Sequence, residues 1–495
     1  MKSKLSSSLT TRITAVLIAP AMAALLVGCK VGPAYRAPTI TMPSSYNQDT
    51  VVSSNRPAAD LARWWTVFND TELNTLVNEA ASANHDVRLA KARVREARAL
   101  RGVSRSALFP QAEAGGDYSR SRLSEHTPNG RLARAAGEPP ETDFFNTAFD
   151  MNWEIDVFGG NRRAVEAAQA NLEAAQETGR EVLVSVLAEV GLSYLDLRGF
   201  QKQLAVARDN LRAQEQTLAL TQDRLNAGLT SQLDVTRAEA QAAHTSSEIP
   251  PLEQGRERAI YRLGVLLGRA PADLESRLRP PAPLPSAAPG VPVGLPSDLL
   301  RRRPDIRRAE REVAAATARV GVATAELFPR FFLTGAAGLQ SLESSDFFDA
   351  GSRFWSLGPS LRWPIFTAGR IRQKIRVENA RQEQSLIRYE ETVLIALEEV
   401  QNALVAFGKE QERYRALIAS QSASRRAVTL ANERYRGGLV DFLSVLDTER
   451  ALLAVQDELV RSERVLGQNV VRLYKALGGG WESAVQQSSR LGNGP

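Results

Sequence analysis

The chain has 495 residues, of which 43% are hydrophobic and 24% charged, with a formal net charge of +6 and one cysteine. That length can bury large cores, and a lone cysteine excludes an internal disulfide. The arginines follow helix faces rather than clusters, which argues against a nucleic-acid partner.

Residues 1–28 place Lys2, Lys4 and Arg12 ahead of the apolar run Ala15 to Val27, the outline of a secretory signal peptide. Cys29 follows Leu26-Val27-Gly28, and Leu-Val-Gly-Cys resembles a bacterial lipobox, in which the cysteine is lipidated and becomes the mature N-terminus. Several acyl chains on one residue make a stable anchor, because each buried methylene is worth about 0.8 kcal/mol. Lys30 in the next position favours the outer membrane by the lipoprotein sorting pattern. Residues 29–60 then read as a lipidated, extended tether rich in Pro and Ser. No later run of eighteen apolar residues predicts a transmembrane helix.

The rest of the chain is written twice. Asp86 to Pro110 aligns without gaps on Asp305 to Pro329, and Glu189 to Gly268 on Glu399 to Gly478. The first repeat is placed at residues 61–279, a Pro-rich linker at 280–296, the second repeat at 297–480 and a polar tail at 481–495. Just after the linker, Ser297 or Asp298 is expected to cap a restarting helix.

Between the two aligned blocks of the first repeat, Thr147 to Phe158 alternates with period two. Phe149, Met151, Trp153, Ile155 and Val157 fall on one face, and Ala148, Asp150, Asn152, Glu154 and Asp156 on the other. The matching stretch Leu357 to Ile365 puts Leu357, Leu361, Trp363 and Ile365 on its apolar face, together with Pro359. Weaker partners precede each, at Ala112 to Arg120 and Phe331 to Ser341. Runs of this length suit tilted strands with one face on lipid and one on a lumen. An ordinary sheet with one face on a soluble core would show the same alternation. Four strands cannot close a barrel, and an open edge in lipid costs several kcal/mol for each unsatisfied group. If the strands span a membrane, copies must share one wall, and three copies give about twelve strands.

Long helices fill the remainder. Leu183, Val190, Leu197, Leu204, Leu211, Leu218 and Leu225 recur every seven residues, as do Val445, Leu452, Leu459, Leu466 and Leu473. Each long helix turns back at a glycine, at Gly228-Leu229 and Gly438-Leu439, with Ser231 or Asp441 capping the return. Pro250-Pro251 predicts a break in the first return helix.

Signal peptide, lipobox, alternating strands and duplicated hairpins together resemble the TolC-like outer-membrane efflux proteins, in the lipoprotein branch of nodulation-type components. The most specific segments are Gly28 to Tyr35, Trp64-Trp65 with Phe68, Gly294 to Asp305, and Leu327-Phe328-Pro329-Arg330. The resemblance implies a membrane α+β fold: a homotrimer with a 12-stranded outer-membrane β-barrel, four strands per chain, continued by a periplasmic α-helical barrel. It implies a periplasmic adaptor and an inner-membrane pump of RND type as partners, and a passive exit duct for drugs or other small amphiphiles as the function. It also places a periplasmic gate at Leu443 and Asp447, four apart on one helix face, and adaptor-docking turns at Gly228, Leu229, Gly438 and Leu439. Ser444 stands where some relatives carry a further acid. From the residues alone, Leu443 reads equally as core and Asp447 as a first-turn carboxylate favoured by the helix dipole.

No catalytic chemistry is visible. His85, His126 and His244 are scattered, and no phosphate loop, Gly-x-Ser-x-Gly or dinucleotide fingerprint occurs, so no cofactor, metal or enzymatic activity is expected. Two other readings remain open on the residues: a lipid-anchored coiled-coil scaffold with a soluble sheet, and a duct for protein secretion.

Overall fold

The computed structural model describes residues 30–46, 59–286 and 296–482. The expected signal peptide, Cys29, the middle of the Pro-rich linker and nearly all of the polar tail therefore lie outside the described residues. Contacts divide the chain into two compact units, and each draws segments from both repeats. The first takes residues up to 38, 95–174 and 310–388; the second takes 39–94, 175–309 and from 389 onward.

The first unit holds one antiparallel sheet, β1 (Gln111–Arg122), β2 (Glu141–Ile155), β3 (Arg330–Ser341) and β4 (Arg353–Arg362), in chain order. Repeat one supplies β1 and β2, repeat two β3 and β4, and the repeats join where β2 pairs β3 through Met151 and Gly335. The strand limits differ from the alternation read in the sequence. β2 begins six residues earlier than Thr147 and stops at Ile155, so Val157 lies beyond it in a turn that leads to Gly159, whose φ is +78°. β4 begins at Arg353 and stops at Arg362, so Trp363 and Ile365 lie outside it. Pro364 has no amide hydrogen and biases the residue before it, which ends the ladder. Pro359 is accepted inside β4 because that strand is an edge.

The expected tether is extended at its start but docked. Val31 donates to the Phe158 carbonyl at 3.2 Å, and the Arg163 guanidinium donates to the Val31 and Gly32 carbonyls. Gly32 has φ +83°, and a Cβ there would sit 2.6 Å from the Gly321 Cα, so two glycines permit this approach. The Tyr35 hydroxyl donates to Glu310 at 2.8 Å.

Helices dominate the second unit, and several continue into the first. They are α1 (Thr71–Ala83), α2 (His85–Ser106), α3 (Gly160–Asn226), α4 (Gln232–Leu266), α5 (Pro304–Ala325), α6 (Arg370–Arg436) and α7 (Phe442–Ala476). The two hairpins match in length: α3 and α6 have 67 residues each, α4 and α7 have 35 each. In the second unit the heptad positions Leu183, Val190, Leu197 and Leu204 are buried, and so are Val393, Val400 and Phe407. Trp64 sits 1% exposed, stacked on Tyr474 with centroids 6.0 Å apart and edge-on to Trp65 and Phe68.

Two other expectations change. Pro250 and Pro251 lie inside an unbroken α4. The carbonyls they cannot satisfy belong to Ser246 and Ser247 on an exposed stretch, where water can serve them. The restart at Pro296–Asp298 is a 3₁₀ turn, and neither Ser297 nor Asp298 makes a side-chain cap to the short helix Leu299–Arg302. Arg303 holds this junction instead, buried and bonded to Asp305, Glu399 and the Ala476 carbonyl.

Candidate functional site

The sheet carries its function in its two faces. Register places Ala114, Phe149, Ala337 and Trp355 in one row, then Met151, Gly335 and Leu357, then Ile155, Phe331 and Leu361. Nothing among the described residues covers this face: Phe149 is 69% exposed, Leu357 64% and Trp355 80%. A soluble sheet would bury such a face against a core, so the exposure removes the physical ground for the soluble-scaffold reading. Further along the same face comes an aromatic pair, Tyr118 and Phe145 at 4.9 Å, and then the charged group Arg120, Glu141 and Asp143. Apolar band, aromatics, then charge is the order met on leaving a bilayer. The opposite face is polar, with Glu113 across from Asp150 and the Asn146 amide donating to Asp117 at 2.8 Å.

At the other end of the sheet the two repeats make the same bond twice. Trp153 Nε1 donates to the Leu108 carbonyl, and Trp363 Nε1 to the Leu327 carbonyl, each at 3.1 Å. Trp363, though off its strand, is thus fixed by the sequence Leu-Phe-Pro that ends the preceding helix. Ile365 is 83% exposed just beyond it. A Phe149→Arg substitution should cost about 2–4 kcal/mol if the position lies near the bilayer midplane. Urea titration of the folded protein in lipid vesicles checks this; an unchanged midpoint would take Phe149 off the lipid face.

The hairpin tips are built alike. Gly228 and Gly438 have φ +69° and +70°, and the following leucine amides donate to Arg224 and Arg434 carbonyls at 2.8 and 2.9 Å. Leu229 and Leu439 project from these turns, 65% and 77% exposed. The return helices are capped with the same chemistry reversed. Ser231 and Asp234 form a reciprocal box, whereas in the second copy Asp441 accepts from the Ser444 amide and hydroxyl, at 3.1 and 2.7 Å. Those bonds hold the Asp441 carboxyl below its usual range.

α7 has two different sides at its start. Phe442, Val445 and Leu446 are buried with Ala238 and Tyr435. Leu443 and Asp447 lie on the opposite side, exposed, and Asp447 forms no ion pair among the described residues. The arrangement leaves one apolar and one anionic side chain, a helical turn apart, on a free face.

A feature that the heptad reading passed over lies between α3 and α7. Asp196, Gln203, Asn210 and Thr217, each one residue before a heptad leucine, bond in turn to Gln468, Asp457, Gln456 and Glu449 at 2.9, 2.6, 2.9 and 3.3 Å. Lys202 and Glu463 form an ion pair in the same seam. The signal was present as a second, polar repeat of seven. Burial pushes the Glu449 carboxyl up, partly offset by bonds from Thr217 and Asn432. A raised carboxyl favours the folded state below its unfolded value and loses that contribution as pH rises through the folded value. Glu449→Gln should therefore stabilise the protein at neutral pH, with the gain over wild type shrinking on acidification. Thermal melts at several pH values check it; a pH-independent difference would contradict the assignment.

An open four-stranded sheet with an uncovered apolar face, joined to paired helical hairpins, defines a channel wall that several copies complete. The model of the outer membrane efflux proteins matches residues 76–269 and 295–479, and the chain belongs to that family. It is 34% identical to the toluene efflux pump outer membrane protein TtgF of Pseudomonas putida over 481 residues, covering 94% of this chain and 97% of that one. It is 30% identical to nodulation protein T of Rhizobium leguminosarum bv. trifolii over 462 residues, covering 93% and 97%. The solved outer-membrane channel OprN superposes with a TM-score of 0.84 at 38% identity, covering 92% of this chain and all of that one. The protein is an outer-membrane exit duct of an efflux system, a trimeric channel with a β-barrel and a long helical barrel built from the duplication.

Proposed function

We propose that the duct carries small amphiphilic molecules delivered by an RND-type pump, and that it is anchored in the outer membrane by lipid on Cys29 as well as by its strands. The carrying observation is the TtgF likeness, which runs through both repeats. Leu443 and Asp447 form the periplasmic gate, as an apolar ring and a carboxylate ring in the trimer. Their exposure on α7, opposite its buried side, supports that role. The glycine turns at Gly228-Leu229 and Gly438-Leu439 dock the adaptor, supported by their matched geometry and projecting leucines. Opening separates the rings as the helices shift between two packings.

Deleting the gene should raise cellular accumulation of toluene-like solvents and lipophilic dyes, and plasmid-borne wild type should restore export. Unaltered accumulation alongside a changed profile of secreted proteins would replace this reading with a secretion duct.

A further inference from the structure

Where the polar seam between α3 and α7 reaches Thr217 and Glu449, the helices part around a cavity of about 440 Å³. Its lining comes from both repeats: Gln214 and Thr217 on α3, Asn432 and Arg436 on α6, and Glu449 on α7, with Leu220 and Leu452 among the apolar wall. Small-molecule sites commonly enclose about 300–1,000 Å³.

Two acceptors in this lining lack what they need. Gln214 is 5% exposed, and its Oε1 is buried without a hydrogen-bond donor among the described residues. A buried carbonyl oxygen left so is costly. Glu449 receives the Thr217 hydroxyl and the Asn432 amide, both neutral, and forms no ion pair among the described residues. Arg436 is the only basic residue in the lining, and it ends α6 exposed to solvent. Thr217 and Glu449 close the seam here with a neutral donor on a carboxyl, and beside them the Gln214 amide oxygen has no donor among the described residues and leucines stand around it.

We propose that this cavity binds a primary ammonium ion carrying a short hydrocarbon chain, its head on Glu449 and Gln214 and its chain along Leu220 and Leu452. Three ammonium hydrogens supply donors to both oxygens, and the positive charge meets a carboxylate without a cation. An anion would face two acceptors. A dehydrated divalent cation needs more oxygen ligands than one carboxylate and one amide give. Because the walls belong to α3, α6 and α7, an occupant bridges the two repeats beside the seam.

The test is isothermal titration of the full-length, detergent-solubilised trimer with hexylammonium, hexanol and hexanoate. Hexylammonium should bind saturably, and the other two should bind at least about tenfold more weakly. Glu449→Gln should weaken hexylammonium by about tenfold or more, and Gln214→Leu by a smaller factor, while circular dichroism and trimer mobility stay as in wild type. Absence of saturable binding, equal binding of hexanol, or undiminished binding to folded Glu449→Gln would each overturn the assignment. Should Glu449→Gln fail to assemble, Gln214→Leu carries the comparison, and undiminished binding to it would overturn the role of the buried oxygen.

Discussion

Replacing Leu443 and Asp447 together by alanine is expected to raise single-channel conductance severalfold in planar bilayers. The side chains stand on the exposed face of α7, which is held by Phe442, Val445 and Leu446 on its buried face. An apolar ring gates by dewetting, and a carboxylate ring adds a charge-selective barrier. Truncating both would widen the proposed constriction and remove its charge while leaving the buried side intact. Leu443→Ala alone should increase conductance with little change in ion selectivity, whereas Asp447→Ala alone should shift selectivity away from cations. Conductance equal to wild type in the double variant would remove these residues from the gate.

Trp64→Ala is expected to cost about 3–5 kcal/mol of stability, the range for emptying a large aromatic site. Trp64 is 1% exposed, stacked on Tyr474 and flanked by Trp65 and Phe68. The neighbouring backbone has made room for it: a Cβ on Gly191 would lie 2.8 Å from the Trp64 ring. The segment that carries Trp64 is thereby locked onto helices from both repeats, α3 and α7. Denaturant titration of the solubilised protein should show a clear fall in midpoint for Trp64→Ala and a smaller one for Trp64→Phe. A midpoint unchanged by Trp64→Ala would mean that this cluster adds no net stability to the unit.

The most legible features were those with a period. Alternation placed Phe149, Met151, Trp153 and Ile155 on one face because successive strand residues point to opposite sides, whatever surrounds them. Heptads placed Leu183 to Leu204 in the core for the same kind of reason, and Val393, Val400 and Phe407, at the same spacing in the second repeat, are buried too. Strand ends were less legible: they depend on where a partner stops pairing and where Gly159 or Pro364 ends the ladder. Pro250-Pro251 misled because the cost of a helical proline depends on whether water can reach the freed carbonyls, which one strand of text does not show.

Sequence by itself determined the duplication, the helical and strand periods, the reversal at each glycine turn, and the insufficiency of four strands to seal themselves in lipid, since all of these rest on local geometry and backbone hydrogen bonding. Tertiary structure alone decided that the compact units cut across the repeats, that residues 30–38 dock on the unit holding the sheet through Gly32 and Gly321, and that a polar ladder runs beside the leucines between α3 and α7. Those outcomes depend on which side chains meet across hundreds of residues, and the same polar residue is solvated or paired according to the helix that packs beside it.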